Sequence, residues 1–158
     1  MHGGISSKIN SIDAIKKTKK PENIPDDGML CDLMWADPEK QQKETYEFNS
    51  SRGVGVTFNE RAVEDICNKL DIDLISRSHQ VVEDGYEFFA DRRLVTIFSA
   101  PGYMGDFDND GAMMDVDETL MCKFIKVKCE NKIASSIPKK STANMNRGRG
   151  KNGYGGFY

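Results

Sequence analysis

Two histidines are all this chain has, His2 and His79, and each stands where a side chain could do chemistry. His2 is followed by Gly3-Gly4, and glycines let the backbone pass close to another group. His79 follows Ile75-Ser76-Arg77-Ser78, where a short strand hands over to a loop, a frequent position for working residues. Two neutral imidazoles joined by oxygen ligands would suit zinc, iron or manganese. By themselves they do not make a catalytic centre, and taken alone a loop histidine is more often a solvated or hydrogen-bonding residue. Arg52-Gly53 opens an alternating Val54-Gly55-Val56-Thr57-Phe58. A guanidinium there offers planar, bidentate donors to phosphate oxygens; the plainer alternative is a surface arginine at the start of a strand. The stretch Asp106-Phe107-Asp108-Asn109-Asp110-Gly111 matches the opening of a calcium-binding loop. Its twelfth position falls on Asp117, however, with Glu118 one step late. Strand-like sequence flanks it where helices would be required, so calcium binding is not expected.

These residues need elements to hold them. Ser11 precedes Ile12 and Ile15, which predicts a short helix ending in the lysines of 16–20, with Pro21 as its stop. Pro25-Asp26-Asp27-Gly28 is a turn signature. Met29 to Trp35 predicts one or two helical turns closed by Asp37-Pro38, and 39–53 reads as polar and irregular. Asn59 is a good N-cap for a helix through Leu70, since Ala62, Val63, Ile66, Cys67 and Leu70 keep helical spacing. Leu74-Ile75, Tyr86 to Phe89, Leu94 to Ala100, Ala112 to Val116 and Leu120 to Val127 read as strands. The order is helices first and a sheet after.

The 158 residues suffice for one domain with a core, although 38% hydrophobic content and a mean hydropathy of -0.58 are lean. The net charge of -3 hides an asymmetry. Residues 129–158 carry six Lys/Arg against one Glu; taking these from totals of 22 and 25 leaves 16 against 24 in the body. An acidic body does not suit nucleic acid, though the basic, glycine-rich tail by itself could contact it. That tail, 129–158, is expected to be disordered, leaving 1–128 as the folded part. Four cysteines without C-x-x-C spacing suggest reduced thiols. No apolar run is long enough for a membrane span, so a soluble cytoplasmic or nuclear protein is expected.

Several separated strings together resemble the metal-dependent phosphoprotein phosphatases, the type-1 serine/threonine phosphatases most closely. They are His2-Gly3-Gly4, Leu30-Cys31-Asp32-Leu33 to Trp35 with Asp37-Pro38, and Arg52-Gly53-Val54 with Phe58. His79 to Phe89, Ser99-Ala100-Pro101 with Tyr103, Asp108-Asn109 to Met114, and Val116 to Cys122 continue the series. The resemblance covers about residues 1–128 in the family's order. It implies an α/β (α+β) fold, the C-terminal half of a calcineurin-like metallophosphatase β-sandwich flanked by helices. It implies hydrolysis of phosphoserine and phosphothreonine at a site of two divalent metals (manganese, iron or zinc). His2 and His79 resemble two ligands of one metal, and Arg52 the arginine that holds the substrate phosphate. Tyr103 resembles the tyrosine beside the active site, and Trp35 and Asp37 the edges of hydrophobic and acidic substrate grooves. Asp73, Leu74, Phe88, Glu118, Cys122 and Phe124 resemble a groove that docks short basic-hydrophobic peptides of regulatory subunits as an added strand.

The departures concern activity. The family's Asp-x-His motif, its second aspartate motif with an arginine, and its Asn-His-Glu motif do not occur in this chain. The resemblance therefore implies an incomplete sandwich with exposed core faces. It also implies a chain without activity alone, or a non-catalytic fragment that binds regulatory subunits. Gly102 and Met104 replace the usual Asn and Cys around Tyr103. Ser51 stands where an acidic residue normally precedes the arginine, and Asp106 and Asp110 replace Glu and Ala.

Overall fold

A computed structural model describes residues 1–20 and 23–129. Pro21, read as a helix stop, and all but the first residue of the 129–158 tail lie outside them. Helix α1, Ile12–Lys17, begins as its sequence predicts: Ser11 Oγ accepts from the Ala14 amide at 3.1 Å. Asp13 in the first turn and Lys16 and Lys17 in the last oppose the helix dipole. Helix α2, Met29–Trp35, buries Cys31, Asp32 and Leu33. Its start at Gly28 uses a backbone φ of 100°, which a side chain would strain.

Two strands arise where helix closure and irregular chain were expected. Strand β1, Asp37–Pro38, pairs parallel with β3, Val56–Phe58, and β2, Tyr46–Phe48, lies antiparallel on the other side of β3. Two or three residues are too few for periodicity to register. Pro38, which cannot donate to a ladder, sits on an edge strand as such a residue must. Helix α3, Glu60–Leu70, follows, with Asn59 Oδ1 accepting from the Ala62 amide and Asn59 Nδ2 tied to Glu44 O.

The second sheet has the order β4 (Ile75–Arg77), β6 (Leu94–Ile97), β5 (Tyr86–Phe89). β4 runs parallel to β6 and β5 antiparallel to it. A hairpin of β7, Gly111–Val116, and β8, Cys122–Val127, completes the described fold. Its turn is held by Asp117 Oδ1, which accepts from the Thr119 and Met121 amides. Thus β6 stops at Ile97 and β8 starts at Cys122, each shorter than the apolar run suggested.

The core joins the first segment to both sheets. Ile5, Ile9, Leu33, Phe58, Val63, Ile66, Ile75 and Leu94 pack together, and α3 contributes the face its spacing predicted. The hairpin is different. Met113, Val116, Leu120, Met121, Ile125 and Val127 are each at least 45% exposed. A mixed α/β architecture of short sheets results, well filled around α3 and open at the hairpin.

Candidate functional site

Strand β4 and the loop after it anchor the first residues of the chain. The terminal ammonium donates to Ser76 O, and the Ser78 amide donates to His2 O, both at 3.0 Å. On the other flank the Gly3 amide donates to Leu33 O of α2 at 2.8 Å. Gly3 is needed there: a Cβ would stand 2.4 Å from the Met34 carbonyl carbon. His2 is thereby held against His79, whose own backbone is left-handed at φ 72°.

The outcome is a facing pair, His2 Nε2 to His79 Nδ1, at 3.0 Å. The side chain of His79 is 8% exposed, with its ring edge-on to Trp35 at 5.4 Å. Its Nε2 is buried without a hydrogen bond, and Asp37 Oδ1 lies 3.9 Å away. Desolvation pushes His79 down to about 4; the Asp37 charge opposes this, while Arg52, Arg77 and His2 add to it. His2 is also lowered, by desolvation first and then by Arg77. Both rings are therefore neutral at pH 7, the state in which imidazole binds a metal.

Asp37 is the electrostatic centre. Its Oδ1 accepts from Arg77 Nη2 at 2.8 Å, and its Oδ2 accepts from Arg52 Nε at 3.0 Å and Asn49 Nδ2 at 3.1 Å. Burial pushes this carboxyl up, yet the hydrogen bonds and charges of the two arginines outweigh it and hold the group below the usual carboxylate range. The resemblance placed Asp37 at the edge of an acidic substrate groove. It does line the cleft bordered by Arg52, Pro38 and Gln80, but both its oxygens are engaged by protein donors. Arg52 stands at the rim with its side chain one-third exposed. A single ion pair through Nε fixes its direction, and the guanidinium lines the cleft.

Other predicted residues lie apart. Tyr103 is 40% exposed and packs edge-on against Phe98 at 5.1 Å. No hydrogen bond or ring contact among the described residues joins it to the histidines. Trp35 touches the histidine side of the site. In the region read as a docking groove, Phe124 stacks on Tyr86 at 4.0 Å and meets Phe88 edge-on at 5.6 Å, and Arg92 lies over Phe88. Asp73, Glu118 and Cys122 are exposed there and Leu74 is half-buried. In the former calcium-loop candidate, Asp110 binds Lys128 and the Cys129 amide, and Asn109 is spent on Ala100 O, Asp110 O and the Tyr103 amide.

Sequence reasoning missed Arg77, Asn49 and Gln80. Only Arg77 had a signal: period-two alternation puts it on the same inward face as Ile75.

The imidazole pair can be tested for metal fit on its geometry. Two bonds of about 2.1 Å at the tetrahedral angle would set their nitrogens about 3.4 Å apart, whereas they stand at a hydrogen-bonding 3.0 Å. Opening the pair by about 0.4 Å would let both nitrogens face one ion. Among the described residues, no group of three or more His, Cys, Asp or Glu converges on a metal position.

Short mixed sheets hold two facing imidazoles beside a buried carboxylate and an oriented arginine. The model of the calcineurin-like phosphoesterase family matches residues 1–83, more than half the chain, and the chain belongs to that family. In fold it is similar to a solved protein serine/threonine phosphatase from Saccharomyces cerevisiae, itself described as similar to human phosphatase PP5. The TM-score is 0.71 at 24% identity, over 81% of this chain and 43% of that one. The chain therefore spans less than half the length of the structure it matches. None of the described helices is long and apolar enough to cross a membrane.

Proposed function

We propose that this chain contributes to serine/threonine phosphoprotein hydrolysis, with His2 and His79 as ligands of one divalent metal and Arg52 as the phosphate-binding guanidinium. The observation that carries the reading is the 3.0 Å imidazole pair beside an arginine whose direction is set by a buried carboxylate. When bound, divalent metals supply Lewis-acid polarisation of the phosphoryl group and activation of water. The chain's own residues do the rest. Arg52 binds and orients the anion, Asp37 holds Arg52 in place, and burial keeps His79 unprotonated. Trp35 shields one edge of the His79 ring from water.

Two imidazoles with no third donor converging on them among the described residues hold a metal weakly, so negligible phosphoester turnover is expected of chain 1–158 alone. The test is inorganic phosphate binding by ³¹P NMR, run beside manganese-dependent hydrolysis of a phosphoserine peptide. Phosphate binding that vanishes in Arg52→Ala, with negligible turnover, is the expected result. Phosphate bound equally well by Arg52→Ala would sink the assignment of Arg52, and turnover abolished by His79→Ala would refute the inactivity of the chain alone.

A second reading, docking of regulatory subunits, is favoured by the aromatic cluster. β5 is an edge strand of its sheet, and Tyr86, Phe88 and Phe124 meet beside it. Exposed Glu118, in the hairpin turn before β8, would attract a basic-hydrophobic peptide adding there as a strand, while Asp73 leads into β4 at the sheet's other edge. A fluorescent peptide of that chemistry should bind the chain and be lost in Phe124→Ala; equal binding by the variant would refute the site.

A further inference from the structure

We propose that Arg77 is the positioning residue that fixes the imidazole pair and Arg52 relative to one another; this rests on the reading of His2, His79 and Arg52 given above. Its side chain is wholly buried, and its guanidinium reaches four acceptors on three chain segments. Nε donates to Gly3 O at 2.6 Å, directly after His2. Nη1 donates to Gln80 Oε1 at 2.6 Å, directly after His79. Nη2 donates to Ala36 O at 3.1 Å and to Asp37 Oδ1 at 2.8 Å. Asp37 then passes the constraint on, because its second oxygen takes Arg52 Nε at 3.0 Å.

The acceptors argue against a role in folding alone. Burying a cation costs several kcal/mol even when it is paired, and an apolar residue of similar volume commonly serves stability as well or better. What an apolar residue cannot do is tie the neighbours of both histidines and the partner of Arg52 to one planar group. Lysine cannot either, since an ammonium is a point donor without the fork geometry. The left-handed turn at His79 is enclosed by the same contacts. The Ser78 amide bonds to His2 O on one side, and Arg77 holds Gln80 on the other.

The experiment is ¹H–¹⁵N NMR of the full chain, unaltered and as Arg77→Lys. It follows three signals: the Arg52 Nε–H, the two imidazole rings, and the α3 amides as a report on the core. In Arg77→Lys the α3 amides should stay dispersed, while the Arg52 Nε–H signal shifts toward free arginine and the two rings lose their mutual coupling. Inorganic phosphate should bind about 10-fold more weakly or worse, the size expected for loss of one hydrogen bond to a charged group. A folded Arg77→Lys with unmoved Arg52 and imidazole signals would overturn the proposal. Should that variant fail to fold, Asp37→Asn breaks the same relay at its second link while keeping the acceptor shape. The Arg52 signal must then move, and an unmoved signal overturns the proposal. Failure of the unaltered chain to bind phosphate would count against the phosphate reading of Arg52, whereas the Arg52 Nε–H signal judges the relay independently.

Discussion

Replacing Gly3 with alanine tests how the fold builds the imidazole pair. The added Cβ would lie 2.4 Å from Met34 C, 2.6 Å from Met34 O and 2.6 Å from Trp35 N. All three are backbone atoms of α2, so no side chain can swing away. Ordinary contact begins near 3.4 Å, which requires the first segment to retreat by about 1 Å. Such a movement stretches the Gly3 amide bond to Leu33 O from 2.8 Å past hydrogen-bonding distance and pulls Gly3 O from Arg77 Nε. Overpacking costs about 1–3 kcal/mol, and each weakened hydrogen bond adds about 1 kcal/mol, more for the one from a charged donor. The expected loss is about 3–5 kcal/mol, a large part of the stability of a domain this size. Urea denaturation followed by the Trp35 fluorescence measures it. The imidazole ¹⁵N shifts, taken under native conditions, show whether His2 has left His79. An unchanged urea midpoint with unchanged imidazole shifts would refute the reasoning, because it would mean the segment does not rest on α2 as described.

Three further outcomes are expected. Phe58→Ala removes a fully buried ring that meets Phe89 edge-on, and should cost about 3–5 kcal/mol in a urea titration. Asn59→Ala deletes the N-cap of α3 and the tie to Glu44 O, for about 1–2 kcal/mol with little effect on the histidine signals. Stability should also depend on His79. Because its folded value near 4 lies below the ordinary 6.5, the unfolded chain takes up a proton first as pH falls. Full stability holds above about pH 6.5, declines toward pH 4 and then levels, by about 1–2 kcal/mol once solvent screening is allowed for. Urea midpoints between pH 7 and 4 check this, and His79→Gln should flatten that part of the curve.

What the sequence discloses follows the length over which each signal acts. α3 was legible because eleven residues repeat one apolar face and Asn59 marks its start. The two strands of the hairpin were legible through their apolar runs but their pairing was not, and the turn, set by one aspartate, trimmed β8 by two residues relative to the reading. β1 and β2 were not legible: two and three residues carry no period, and their pairing with β3 is a long-range event. At the site, His2 and His79 stood out by rarity and by the glycines beside the first. Arg77 carried only the weak signal of sharing a strand face with Ile75, since an arginine in a polar stretch otherwise reads as solvated until the acceptors that bury it are known.

The charges of the site decide what it can take up unaided. Arg77 and Arg52 share one carboxylate, Asp37, and two imidazoles beside them are held neutral, leaving a charge of about +1 on these five side chains at neutral pH, beside the terminal ammonium that also acts on His2. A phosphoryl anion entering beside Arg52 meets a favourable field in a partly desolvated cleft. A divalent cation meets the opposite: two neutral donors, and a net positive surrounding that resists a further two charges. Asp37 cannot compensate, because releasing it would strand two guanidinium groups, one of them wholly buried. Stable metal binding therefore requires additional anionic donors, and none converge on the imidazole pair among the described residues. The same arithmetic predicts an order: phosphate binding beside Arg52 does not depend on metal, whereas metal binding at the imidazole pair is strengthened by added anionic donors.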